Sequence, residues 1–295
     1  MTQTTAHPIP DVQLDAHTSI PQIGFGTYQI PAVDTQKSVE QALEIGYRHI
    51  DTAAAYYNEH EVGLALKATG MADSVFITSK LRNCDQGFDA ARFAFDRSLS
   101  KLGIDRLDMY LIHWPFPAVD QYVDTWKALL SLKSDGLIRT AGVSNFLPSH
   151  LQKLIDETGE APAINQLEIH PSFSQPETLR FCSKHNIAIE AYSPLGHGTD
   201  MKASAILQAA DAHHVSPAQI VLRWHTQEGR VVIPKSSHPE RMAQNLNVSG
   251  FELKPDEMQA ISALHNPAMR VSADPDTFTQ SQSWANQRAR GNVTD

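Results

Sequence analysis

Cysteine is scarce: Cys84 and Cys182 are the only two in 295 residues, too few for a disulfide framework. No CxxC or HExxH spacing occurs, so the fourteen histidines offer no metal site. Cations are not in excess either. A formal charge of -9 gives no overall attraction for nucleic acid or an anionic membrane, and the one basic cluster near the end, Arg288 with Arg290, reads as a solvated pair. No uninterrupted apolar stretch approaches the ~20 residues that would cross a bilayer. The opening MTQTTAHPIPDVQL has no basic segment followed by an apolar one, so it is not expected to be a secretory leader. Internal repeats, low-complexity segments and a Pro/Gly/Ser-rich linker are also missing. These absences point to one cytoplasmic domain over residues 1–295, without metal, nucleic-acid or membrane partners.

What the chain has is alternation. Short apolar runs suited to buried parallel strands recur at 23–27 (IGFGT), 49–53 (HIDTA), 75–80 (VFITSK), 107–113 (LDMYLIH), 140–146 (TAGVSNF), 164–169 (INQLEI), 187–193 (IAIEAYS) and 231–235 (VVIPK). Between them lie amphipathic stretches such as 35–46, 89–103 and 123–136, several ending in glycine. Eight βα units without a linker predict a closed (β/α)8 TIM barrel, with an open doubly wound sheet as its rival. VQLDAHTSIPQIG ahead of the first unit predicts a hairpin closing the barrel bottom. SAILQAADAHHV and SPAQIVLRWHTQEG predict two helices after the seventh strand, and PDEMQAISALHN one beyond the eighth. Residues 267–295 are polar and aperiodic, and are expected to lie as a loop over one face.

In such a barrel the C-terminal strand ends converge on one mouth. Asp51 closes HID with Tyr56 just beyond it, Lys80 closes VFITSK, and His113 closes LDMYLIH. Singly each has an ordinary explanation: a helix cap, a loop aromatic, a surface terminus, a satisfied core histidine. Jointly, four ionisable groups brought to one mouth demand pairing. With Lys80 between Asp51 and Tyr56, the ammonium is expected to depress the phenol's pKa by roughly 1 to 3 units and make Tyr56 a general acid. His113 would then orient a substrate carbonyl and stabilise the developing alkoxide.

GYRHIDTAAAYYNEHEVG, VFITSKL, LDMYLIHWP, GVSNF, AYSPLG and IPKSSHPERMAQN, taken in that order, resemble the successive signature segments of the aldo-keto reductase family. The resemblance runs from about Ile20 to Phe278 and is nearest to the bacterial branch related to 2,5-diketogluconate reductases. It implies a catalytic set of Asp51, Tyr56, Lys80 and His113, the same four residues reached from the strand ends. It implies NADPH lying along the mouth, with Ser144, Asn145 and Gln166 on the carboxamide and Tyr192 stacked on the nicotinamide. Thr27 and Asp51 would lie near the ribose, and Ser193, Leu195 and Gly196 along the pyrophosphate, where Gly196 permits close backbone approach.

No GxGxxG joins a strand to a helix, and GFGT at 24–27 alone reads as a structural turn. The resemblance instead assigns the 2'-phosphate to Lys235, Ser236 and Arg241, at the start of a helix capped by Ser237, since a helix N-terminus beside two cations suits a phosphate. Gln244 departs from the family's frequent Glu at the adenosine, while Asn245 follows the pattern. Tyr28, Trp114, Tyr56 and His113 are expected to contact a small-molecule carbonyl, with Phe25 as a further wall. Tyr57, where the family often has Gly, would narrow the rim, and Trp284 in the extension after SADPDTF could cover the mouth. The chain is thus expected to be a monomeric NADPH-dependent reductase. The alternatives are a cofactor-binding sensor with incidental turnover, or a barrel aldolase using Lys80 as a Schiff-base nucleophile, which Asp51 would oppose by holding the amine as an ammonium.

Overall fold

The computed structural model describes residues 10–282. Trp284, Arg288 and Arg290 lie outside the described residues. A short antiparallel hairpin of β1 (Asp11–Gln13) and β2 (Ser19–Pro21) precedes eight parallel strands. These are β3 (Phe25–Gly26), β4 (His49–Asp51), β5 (Phe76–Leu81), β6 (Leu107–Ile112), β7 (Ile138–Ser144), β8 (Ile164–Glu168), β9 (Ala188–Tyr192) and β10 (Val231–Val232). Each pairs with the next in chain order. First and last meet as well: Gly24 N donates to Val232 O at 2.8 Å and Gly26 N to Pro234 O at 3.3 Å. The sheet therefore closes into the expected barrel rather than staying open.

The closing strands are shorter than their apolar runs suggested. Pro234 has no N–H to continue a ladder, and the seam is tight. A Cβ on Gly24 would meet the His49 ring at 2.3 Å, so this position accepts only glycine. The glycines of GFGT serve that approach.

Helices α1 (Ala32–Ile45), α2 (Glu59–Thr69), α3 (Phe88–Leu102), α4 (Tyr122–Ser134), α5 (Pro148–Thr158) and α6 (Pro176–Lys184) follow successive strands. Each turns a largely apolar buried stripe onto the barrel; in α3 it is Ala91, Ala94, Phe95 and Leu102, with Ser98 buried among them. Two helices, α7 (Ser204–His213) and α8 (Pro217–Gln227), follow β9, and α9 (Pro239–Leu246) and α10 (Pro255–Ser262) follow β10. The expected post-barrel helices are present. Among the described residues no helix is long and apolar enough to cross a membrane.

The strands are buried on both faces, so their core is split in two. Outward side chains pack under the helices in one large cluster; Phe25 belongs there, fully buried with its ring 5.7 Å from Tyr47. This corrects the expectation of Phe25 as a pocket wall: in a strand its neighbours Gly24 and Gly26 face the barrel axis and it faces the helices. Inward side chains at the lower end, Phe76, Met109, Leu111, Ile164 and Val231, pack with Leu14 and Ile20 of the hairpin segment. The hairpin is thus a plug for the bottom, and the open end is the other one.

Candidate active site

Strand periodicity of two puts His49 and Asp51 of β4, and Phe76, Thr78 and Lys80 of β5, on the inward face. The pairing Asp51 with Thr78 staggers Lys80 one pleat above the carboxylate. Lys80 is fully buried, and its Nζ donates to Asp51 Oδ1 at 2.5 Å, to Thr52 O at 3.0 Å and to Tyr56 Oη at 3.2 Å. Every N–H of the ammonium is committed. Burial holds the Asp51 carboxyl above its ordinary value, and Lys80 and then Gln166 pull it only part of the way back.

Tyr56 ends a short 3-10 turn after β4, stacked edge-on to His113 with ring centroids 5.6 Å apart. Its pKa moves opposite to the expectation from Lys80 alone. Burial and then the Asp51 charge push the phenol well above its ordinary value, so the proximal ammonium does not win. Tyr56 therefore keeps its proton through the neutral range. His113 is driven well below the ordinary histidine value by burial and by Lys80, and is neutral.

Beneath these groups lies a second layer that strand patterning did not reveal. Gln166 of β8 pairs in register with Glu190 of β9, and its Nε2 donates both to Asp51 Oδ2 at 2.8 Å and to Glu190 Oε2 at 2.7 Å. Both amide hydrogens are used by carboxyls. Glu190 is fully buried, and burial followed by repulsion from Asp51 lifts its pKa to about 8. His49 Nε2 stands 3.6 Å from Glu190 Oε1, with a pKa lowered to about 3 by burial and Lys80. That contact joins two neutral groups. A charged residue within the apolar IAIEAYS run was the available signal for Glu190.

The mouth is built from loops after the strands. Thr27 packs its N–H and hydroxyl on Asp51 O, at 2.9 and 3.1 Å. Ser144 Oγ donates to Gln166 O at 2.9 Å; Asn145, in left-handed conformation, donates from Nδ2 to His113 O at 2.9 Å and accepts Tyr192 Oη on Oδ1 at 2.8 Å. Ser144, Asn145, Gln166 and Tyr192 are thus one connected set beside Asp51 and His113. Tyr28 is 52% exposed with its ring 5.0 Å from that of Tyr56, so it stands at the opening. Trp114 is buried against Phe278 of the tail, centroids 4.2 Å apart. Tyr57 also takes the left-handed conformation, with φ of 58°, which accounts for glycine suiting the position, and its hydroxyl donates to Gln282 O at 2.9 Å.

After β9, Ser193 has a φ of 47°, Leu195 is half-buried and Gly196 is buried. Gly196 has a protein reason to be glycine: its φ is 54°, and a Cβ would come within 2.5 Å of Asp200 Oδ2 and 3.0 Å of His170 Nδ1. His170 lies between Asp200, at 2.7 Å, and Glu168, at 3.1 Å, and Glu168 accepts the tail N–H groups of Val271 and Ser272 at 2.7 and 2.6 Å. This bridge from the post-β9 loop to the tail was not foreseen, although Glu168 and His170 sit two apart on one strand end.

Lys235, in the loop leading to α9, and Arg241, in its first turn, are exposed, and neither has an ion-pair partner among the described residues. Ser236 and Asn245 are buried beside them and Gln244 is exposed. The cap differs from the expected Ser237: His238 takes that position, and its N–H is received by Ser236 Oγ at 3.1 Å. Pro239 at the first helical position displaces the start by one residue. Two unpaired cations at a helix start form a donor set that fits a phosphate.

The description "Aldo/keto reductase family" belongs to a family model matching residues 22–205 and 200–266. The chain belongs to this family. An aldo-keto reductase of Mycolicibacterium smegmatis is 48% identical over 270 residues, covering 91% of this chain and 98% of the relative. The methylglyoxal reductase DkgA of Salmonella typhimurium is 45% identical over 270 residues, covering 90% and 97%. Among solved structures, a variant of Gox0644 in complex with NADPH superposes with a TM-score of 0.89 at 43% identity over 92% of this chain and 99% of that one. The Bombyx mori aldo-keto reductase in complex with NADP gives 0.85 at 32% identity over 92% and 97%. The barrel of this aldo/keto reductase, with its N-terminal hairpin, accords with those neighbours, and the expected kinship with bacterial members of the diketogluconate type accords with DkgA.

Proposed function

We propose that this aldo/keto reductase reduces small aldehydes and ketones, keto-sugars and α-keto compounds among them, with NADPH as hydride donor and Tyr56 as general acid. The observation that carries the reading is the 3.2 Å contact between Lys80 Nζ and Tyr56 Oη at a mouth shared with His113. Methylglyoxal reductase activity in the name of a 45%-identical relative, and NADPH or NADP in neighbouring structures, support it.

Bound NADPH would supply the hydride; Ser144, Asn145 and Gln166 would hold its carboxamide, Tyr192 its ring, and Thr27 with Asp51 the ribose side. Ser193, Leu195 and Gly196 would skirt the pyrophosphate, and Lys235, Ser236 and Arg241 the 2'-phosphate, with Gln244 and Asn245 toward the adenosine. Tyr56 stays protonated at neutral pH and so presents an O–H to the substrate oxygen. As that oxygen becomes alkoxide it takes the Tyr56 proton, and the phenolate left behind lies against the Lys80 ammonium. Neutral His113 donates to the same oxygen and fixes the carbonyl plane. Tyr28 and Trp114 flank the carbonyl's substituents. The chain is taken to act in the cytosol as a monomer on small molecules. A Schiff base on Lys80 would have to break three hydrogen bonds to a buried amine, which disfavours aldolase chemistry.

Turnover of an aldehyde, α-keto and keto-sugar panel, followed at the NADPH absorbance with NADH in parallel, tests the reading. Tyr56→Phe is expected to lower kcat by roughly 10²- to 10⁴-fold while NADPH binding, followed by fluorescence, is kept. Normal turnover by that variant would refute Tyr56 as the acid.

A further inference from the structure

Matching of the family ends at residue 266, yet the tail beyond it reaches the reacting end of the barrel. Gln282 is buried at the mouth in a left-handed conformation, φ 60°, which is unfavourable for a non-glycine residue and needs compensation. The compensation comes from three separate loops. Tyr57 Oη donates to Gln282 O at 2.9 Å, Asn83 N donates to Gln282 Oε1 at 3.1 Å, and Gln282 Nε2 meets His113 Nδ1 at 3.3 Å. Neighbouring bonds from Asn83 Nδ2 to Gln280 O and from Cys84 N to Ser281 O, each 2.8 Å, pin the same stretch.

We propose that Gln282 is a positioning residue that fixes His113 in the tautomer carrying its proton on Nε2. The orientation of the Gln282 amide follows from Asn83: a backbone N–H can only donate, so the oxygen of the amide must face it. The NH2 group is then the end that faces His113, and Nδ1 must offer its lone pair. A neutral imidazole with an accepting Nδ1 holds its hydrogen on Nε2, and among the described residues none bonds that atom. A donor is thereby left for a substrate oxygen. Swapping the amide would set NH2 against the Asn83 N–H and lose that bond, and its oxygen could then be met only by a proton on Nδ1. The consequence for turnover rests on His113 being the donor proposed above; the tautomer itself does not.

Nitrogen-15 histidine spectra of the full chain test this, with His113 assigned by the signal lost in His113→Asn. The wild-type protein is expected to show His113 as the Nε2–H tautomer. Gln282→Glu keeps the size of the side chain but can only accept, so a proton should appear on Nδ1. Gln282→Ala should leave Nδ1 without its donor and give a mixed or broadened signal, with kcat roughly tenfold lower and KM little changed, as for loss of a group that orients a catalytic histidine. A role confined to packing predicts that Glu behaves like Gln. His113 spectra unchanged in both variants would overturn the proposal. Spectra that shift as expected with undiminished kcat would uphold the role of Gln282 and overturn the role of His113 in reduction.

Discussion

Lys80 shows how strongly single residues are bound together here. Its ammonium is fully buried and held by Asp51, a main-chain carbonyl and a phenol, so neither member of the ion pair tolerates loss of the other. Lys80→Met is expected to destabilise the fold by about 3 to 5 kcal/mol, the cost of an unpaired buried carboxylate. Asp51→Asn combined with it should recover much of that loss, as urea denaturation would show. Glu190 makes the opposite prediction. Its folded pKa of about 8 lies above the ordinary 4.5, so the folded protein keeps a proton that the unfolded chain releases between those values. The contribution of Glu190 to stability should fall as pH rises from 4.5 to about 8 and stay level beyond. In Glu190→Gln that slope should vanish, with a gain of a few kcal/mol at pH 8 and above over the wild-type protein.

At the scale of elements, the tail and the loop after β9 are joined by charge. Burial disfavours a charged His170, but the hydrogen bonds it donates to Asp200 and Glu168 outweigh it and raise its pKa from 6.5 to about 9. The stabilisation is complete below 6.5 and is lost as pH rises through about 9. His170→Gln should lower stability by about 3 kcal/mol at neutral pH, and the gap in melting temperature between the two proteins should close above pH 9. The Trp114–Phe278 stack adds about 0.5 to 1.5 kcal/mol to the same closure. A segment with no apolar periodicity is thus ordered by a handful of specific contacts over the mouth.

Over the whole molecule, a net charge of -9 repels an anionic dinucleotide, which makes the exposed, unpaired Lys235 and Arg241 conspicuous. If they hold a 2'-phosphate, Lys235→Ala with Arg241→Ala should weaken NADPH binding about 10²-fold, leave NADH binding nearly unchanged, and flatten the salt dependence of KM for NADPH. The loop after β10 and helix α9, which carry Lys235 and Arg241, are far along the chain from the strands carrying Asp51 and Lys80. Closure of the barrel, through Gly24 and Val232, is what sets them around one rim.

Much of this was legible in the residue order. Continuous apolar runs alternating with amphipathic stretches can only be satisfied by strands buried on both faces and covered by helices, so the βα alternation, the hairpin and the later helices were determined locally, while closure into a barrel rather than an open sheet was decided by the hydrogen bonds between first and last strands. Polar residues ending those runs marked Asp51, Lys80 and His113 for the mouth. Facing direction was harder: Phe25 reads as a mouth aromatic until the seam glycines show which side of β3 turns inward. Electrostatics required three dimensions altogether, because the Tyr56 pKa depends on how burial and Asp51 weigh against Lys80, and that balance has no sequence pattern. The pairing of Gln166 with Glu190, the bridge at His170 and the reach of Gln282 to His113 span up to 169 positions of chain. Periodicity reports which face a residue takes within its own element; only closure of the barrel decides what lies across from it.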